Sequence, residues 1–106
     1  AVDIREGSPT FGRHVAVELT AENKKQLLVP RGFAHGFVVL SNEAIFAYKV
    51  DNYYSFESEG GIAFDDHFLN IDWKVEKEKL QLSQKDLVQP SFEEATYFKE
   101  TKSLYV

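Results

Sequence analysis

The chain has 106 residues, 43% hydrophobic and 14% aromatic, with a net charge of −5. That is long enough for one domain with a buried core and too apolar for a disordered segment. The acidic balance, with no basic cluster longer than Lys24-Lys25, excludes a nucleic-acid binder, and the lack of cysteine excludes disulfides and thiolate metal sites.

No apolar run approaches the roughly 20 residues of a membrane-spanning helix, and no signal-peptide pattern opens the sequence. No membrane partner is expected, and the cytoplasm is the default compartment. Methionine is absent even at position 1, and Ala1 stands directly ahead of a strand-like VDIR. We read this as a start inside a domain whose N-terminal part is missing.

Val2–Arg5 alternates apolar and charged residues, as a half-buried strand does. Glu6–Thr10 is a Gly/Pro turn cluster, and His14–Leu19 resumes the alternation. Thr20–Lys25 reads as a polar connection of one helical turn. Gln26–Val29 is a short strand closed by Pro30, which has no N–H to donate to a ladder.

Pro30–Tyr54 carries two apolar runs around a polar break at Ser41-Asn42-Glu43. An antiparallel hairpin centred on Ser41-Asn42 sets Leu40 against Glu43, Val38 against Ile45 and His35 against Tyr48. Directly opposed residues share a face. The imidazole of His35 and the phenol of Tyr48 would then sit together, flanked by Phe33, Phe37 and Phe46.

Ser55–Gly61 is a loop, and Ile62–Phe64 one more short strand. Phe68–Trp73 reads as a covering loop, Val75–Gln81 as helix or strand, and Leu82–Asp86 shows no clear period. Ser91 with Glu94 three residues on gives a capping box that starts a short helix to about Phe98. Five or six short strands with regular turns predict an all-β sandwich or barrel.

Several residues carry chemistry beyond packing. His35, between Ala34 and Gly36, has open space around its ring. A buried histidine bonded to a backbone carbonyl is the competing account, and the place opposite Tyr48 tips the balance to a site. Tyr48 normally holds its proton, with a pKa near 10, and can deliver it to a carbanion or enolate. A core tyrosine with its hydroxyl at the surface is the alternative.

Tyr53-Tyr54 could offer a flat platform for a nucleobase, although on composition alone surface-strand tyrosines are the stronger account. Lys85-Asp86 pairs a phosphate-binding cation with a carboxylate able to orient a histidine; by itself it is a solvated dipeptide. Glu59 has no signal of its own. His14, His35 and His67 are too scattered for a three-ligand metal site.

The strings VDIREGSPTFG, ENKKQLLVPRGFAHGFVVLS, YKVDNYYSFESEGGIAFDD, IDW and LSQKD occur in one order over Val2 to about Pro90. In that order and spacing the chain resembles the C-terminal portion of the dTDP-4-dehydrorhamnose 3,5-epimerases. The resemblance implies one cupin-type jelly-roll domain over residues 1–106, lacking its N-terminal strands. It also implies a homodimer, no metal, no cofactor, and a dTDP-4-keto-6-deoxy sugar as substrate in dTDP-rhamnose and cell-surface polysaccharide biosynthesis.

In such enzymes a histidine base, held by an aspartate, takes protons from C3 and C5 beside the C4 ketone. A tyrosine on the opposite face returns them. The resemblance assigns proton donation to Tyr48, the base-pairing carboxylate to Asp86, substrate contacts to His35 and Lys85, thymine stacking to Tyr53 and a nucleotide-side contact to Glu59. The base itself belongs to an RGLHFQ-like motif that this sequence does not contain, as do the diphosphate-binding arginines. These 106 residues alone are therefore expected to be inactive and poorly folded. Two alternatives stand beside this reading: an epimerase acting at C3 only or C5 only, and a non-catalytic cupin that binds a sugar nucleotide.

Overall fold

The computed structural model describes residues 1–99, and its strands are short. β1 (Val2–Asp3) pairs antiparallel with β3 (Phe33–Ala34), placing Val2 against Ala34 and Asp3 against Phe33. β2 (Arg5–Glu6) pairs in parallel with β4 (Phe98–Lys99). An isolated antiparallel bridge joins Val2 to His14. The VDIRE segment thus lies between two partners, and Val2, Asp3 and Ile4 are buried in succession, so both of its faces are covered there.

The core forms on that segment. Val2, Ile4, Leu69 and Phe92 are buried, with Phe11, Ala34, Ile62, Ile71 and Tyr97 packed around them. Phe92 is the hub of the rings: Phe68 stacks on it at 4.8 Å between centroids, Phe11 lies at 5.4 Å and Tyr97 at 5.2 Å. Each such aromatic pair adds about 0.5–1.5 kcal/mol beyond the area it buries. Gly12 is required here, because it holds φ +81° and a Cβ would come within 2.9 Å of the Phe68 ring.

Asp66 ties the covering loop to this hub. Its carboxylate accepts the Leu69 N–H at 3.0 Å and the Phe92 N–H at 2.8 Å. Burial pushes the carboxyl up, but these backbone donors outweigh it and hold the pKa below the usual range.

Several expected elements take another form. His14 bridges Val2 and Val15 exchanges both backbone hydrogen bonds with Ala1, but the pairing stops there: residues 16–19 and Gln26–Val29 belong to no described strand. Thr20–Lys25 does make a single turn, closed by the Lys24 N–H on the Thr20 carbonyl at 3.1 Å. Val75–Gln81 holds a 3-10 turn at Lys77–Lys79. The stretch without a clear period contains α1 (Gln84–Leu87), whose N-cap Ser83 accepts the Asp86 N–H. The capping box at Ser91 yields only a turn, with the Glu94 N–H on the Ser91 carbonyl at 3.1 Å. The chain then enters β4 instead of continuing as helix, because pairing with β2 satisfies its backbone.

The all-β sandwich was expected with five or six strands; the described chain has four of two residues each and few helical turns. None of its described helices is long and apolar enough to cross a membrane.

Candidate active site

The two arms of the Pro30–Tyr54 stretch run side by side without a hydrogen-bonded ladder between them. Side chains nevertheless mark the register. The Phe37 and Phe46 rings stack at 4.2 Å, and these two residues are opposed in the same pairing that opposes His35 to Tyr48. Phe46 continues to Tyr48 at 5.2 Å, so three rings form one ladder on one face. The Ser41 hydroxyl closes the turn by donating to the Glu43 carbonyl at 2.7 Å. Arg31 Nε and Asp51 Oδ2, 3.0 Å apart, tie the open end.

Tyr48 stands at the end of this ladder, 72% exposed. Its phenol is available to whatever occupies the face. His35 is also exposed. Backbone pairing holds the two residues before it, and the next residue, Gly36, has the Trp73 ring 3.8 Å from where a Cβ would stand.

A second group lies where the Ser55–Gly61 loop meets α1. Glu59 bridges two partners: one carboxylate oxygen accepts from the Lys85 ammonium, the other from the Tyr54 hydroxyl at 3.0 Å. A 3-10 turn at Phe56–Ser58 carries the loop to Glu59, and α1 presents Lys85. Gln89 locks the two together. Its amide donates to the Lys85 carbonyl at 3.0 Å and packs where a Cβ on Gly61 would stand.

The three charges and dipoles answer one another. The Lys85 hydrogen bond, then that from Tyr54, holds the Glu59 carboxyl below its usual range. The Glu59 carboxylate in turn raises Lys85 and pushes the Tyr54 phenol up. Lys85 therefore stays cationic.

Of the six residues expected in the site, the structure brings Glu59 and Lys85 together. No side-chain hydrogen bond among the described residues joins His35, Tyr48, Tyr53 or Asp86 to another of the six. Asp86 spends its backbone N–H on the Ser83 cap, and its carboxylate faces solvent. Tyr53 is 97% exposed, with both ring faces open. Sequence reasoning took Tyr54 as half of a stacking pair and missed its bond to Glu59. The signal was its spacing from Glu59 along a loop with a turn between them.

A concavity of about 280 Å³ is lined by none of these residues but by Phe64, Asp66, His67, Trp73 and Leu80 among others. Part of its polar lining is spent on structure: Trp73 Nε1 donates to the Phe64 carbonyl at 2.8 Å, and Lys77 pairs with Asp65 at 2.8 Å. No group of three or more His, Asp or Glu residues among the described residues is placed to hold a metal ion.

Comparison with known proteins gives a consistent answer. The chain is 54% identical over 98 residues to a dTDP-4-dehydrorhamnose 3,5-epimerase of Shigella flexneri, covering 92% of this chain and 53% of that protein. It is 49% identical over 98 residues to one from Pseudomonas aeruginosa, covering 92% and 54%. The crystal structure of the enzyme of that name from Elizabethkingia anophelis superposes with a TM-score of 0.85 at 56% identity, over 87% of this chain and 50% of that one. The chain thus spans about half the length of the relatives it matches. A profile of the dTDP-4-dehydrorhamnose 3,5-epimerase family matches residues 1–94, and the chain belongs to that family.

Proposed function

We propose that this chain forms the proton-donating wall of an epimerase that inverts C3 and C5 of dTDP-4-dehydro-6-deoxyglucose, giving dTDP-4-dehydrorhamnose. The C4 ketone acidifies both neighbouring carbons, since the electron pair left by a departing proton delocalises onto the ketone oxygen as an enolate. Reprotonation from the opposite face inverts the centre. Tyr48 is the donor in this reading, because a phenol keeps its proton at neutral pH and yields it to a carbanion.

The observation that carries the reading is the exposed Tyr48 phenol at the end of the Phe37–Phe46–Tyr48 ladder, in a chain of this family. Lys85, held by Glu59, supplies a cation for the nucleotide side, and Tyr53 an open ring face for thymine. His35 contacts the sugar, and Asp86 pairs with the histidine base. That base lies in a motif absent from these 106 residues, so the complete protein is the enzyme. Its full fold is a cupin-type jelly roll, it works as a homodimer without metal or cofactor, and the reaction belongs to the cytoplasm.

The decisive substitution is Tyr48→Phe in the complete protein, followed by proton NMR in deuterated buffer. Deuterium should still wash into C3 while net epimerisation falls about 100-fold or more, the typical scale of one acid–base group. Unchanged turnover removes Tyr48 from the donor role. The same spectra distinguish inversion at both carbons from inversion at one. A protein that binds the sugar nucleotide yet exchanges no deuterium at either carbon is a binding module instead.

A further inference from the structure

We propose that Arg5 is a positioning residue for His35, acting through the Phe33 ring and the β1–β3 pair. The inference rests on the reading of His35 as a sugar contact.

The most deeply buried side chain of the described residues is a charged one. Asp3 is 1% exposed, yet its carboxylate is fully answered. Arg5 forks onto it, Nε to Oδ1 and Nη2 to Oδ2, both at 2.9 Å, and the Arg5 backbone N–H adds a bond at 3.0 Å. The Ser8 hydroxyl donates to the same carboxylate at 2.7 Å and that of Thr10 at 2.5 Å. A knot of this density fixes the guanidinium in one plane.

That plane is then used. The Arg5 guanidinium lies 4.9 Å from the centroid of the Phe33 ring. The knot grips the backbone of the same neighbour: Asp3 is the register partner of Phe33, Val2 that of Ala34, and the Ile4 N–H donates to the Gly32 carbonyl at 3.1 Å. Residues 32–34 are therefore held at three successive points, and His35 is next. Side chains two apart on an extended chain project from the same face. Phe33, clamped from above by Arg5, is thus the neighbour of His35 on that face.

His35 has no hydrogen bond of its own among the described residues. Its direction is inherited from the backbone before it. Arginine is needed for this task, because only a planar fork can bind a carboxylate at two points and stack on a ring at once.

The test uses the complete protein with Arg5→Lys, which keeps the charge opposite Asp3 but loses fork and stack. It also uses Phe33→Leu, which keeps the Asp3 pair whole and removes only the ring, and so remains decisive if Arg5→Lys does not fold. The readouts are the imidazole resonances of His35 and His67 in histidine-labelled protein, and KM and kcat for the dTDP-4-keto sugar. The expected result is a shifted or broadened His35 signal, an unmoved His67 signal and a KM raised about tenfold with kcat little changed, since His35 holds substrate and transfers no proton. A folded variant with lowered thermal stability but an unaltered His35 signal and KM overturns the proposal, because a merely structural knot behaves that way. If the wild-type protein shows no turnover at all, the epimerase reading fails, and the imidazole signals alone then decide the role of Arg5.

Discussion

Glu59 shows how little a single residue needs to say in sequence to matter in structure. Nothing about an isolated glutamate in a polar loop marks it out, yet it receives both Lys85 and Tyr54. The pair is solvent-exposed, so its value lies in placing the ammonium rather than in stability. Replacing Glu59 with Gln removes the negative charge that opposes phenolate formation at Tyr54. The Tyr54 titration, followed by ultraviolet absorbance, should move to lower pH, back towards the ordinary tyrosine value. Lys85, no longer raised by the carboxylate, should titrate lower as well. If Lys85 has the nucleotide-side role proposed for it, affinity for dTDP should drop in parallel as Lys85 loses its fixed position. A Tyr54 titration that stays in place would show that the Tyr54–Glu59 bond does not persist in solution. Among the tyrosines, alternation favoured neither Tyr53 nor Tyr54. The difference between them comes from a turn at Phe56–Ser58 that has no pattern to read.

At the scale of elements, the legible parts are those whose partners lie within the chain. The opposition of Phe37 and Phe46 followed from counting outward from Ser41-Asn42, since a two-residue turn fixes every later pairing. The short α1 was illegible because four residues have no helical period, and its Ser83 cap was the only cue. The Ser91 capping box misled for the opposite reason. A cap stabilises a helix only where the following residues have no better use for their backbone, and β2 supplies one. VDIRE was read as a half-buried strand, but its charged residues were not recognised as a buried knot. Local alternation says which face a residue takes and says nothing of what waits there.

The knot makes the strand pair sensitive to acid. Asp3 is held well below the ordinary carboxylate pKa, first by Arg5, against the opposing effect of burial, and then by Thr10 and Ser8. The folded state therefore binds this proton more weakly than the unfolded state does. Its contribution to stability is complete above the unfolded pKa of about 4 and shrinks as pH falls below it. In the complete protein, Asp3→Asn should flatten the fall in melting temperature between about pH 4 and pH 2 while lowering stability at pH 7 by about 3 kcal/mol, the typical cost of breaking a buried pair. Parallel melting curves for the two proteins across that range would show that other carboxylates govern acid unfolding.

For the whole molecule, surface area governs behaviour. A folded monomer of 12.1 kDa exposes roughly 6,000 Å², whereas this chain exposes 9387 Å². The difference is as large as an obligate interface, and it is apolar where it matters. Ile45 is 98% exposed, and Val15, Val17, Leu19, Leu28, Phe37, Phe46 and Val50 are exposed with it. These segments were expected to be strands, and none of the residues named lies in a described strand. They could not become a sheet, because a strand exists only beside another strand. The relative from Shigella flexneri is roughly twice as long as the matched stretch. The 106 residues by themselves should accordingly bind the dye ANS strongly and self-associate as concentration rises, and the family-length protein should do neither. Sedimentation and ANS fluorescence of the two, side by side, decide it. A monomeric 106-residue chain without ANS binding would mean that the segments from Val15 to Val50 close on one another in solution, and that His35 and Tyr48 then lie in a core instead of on a wall.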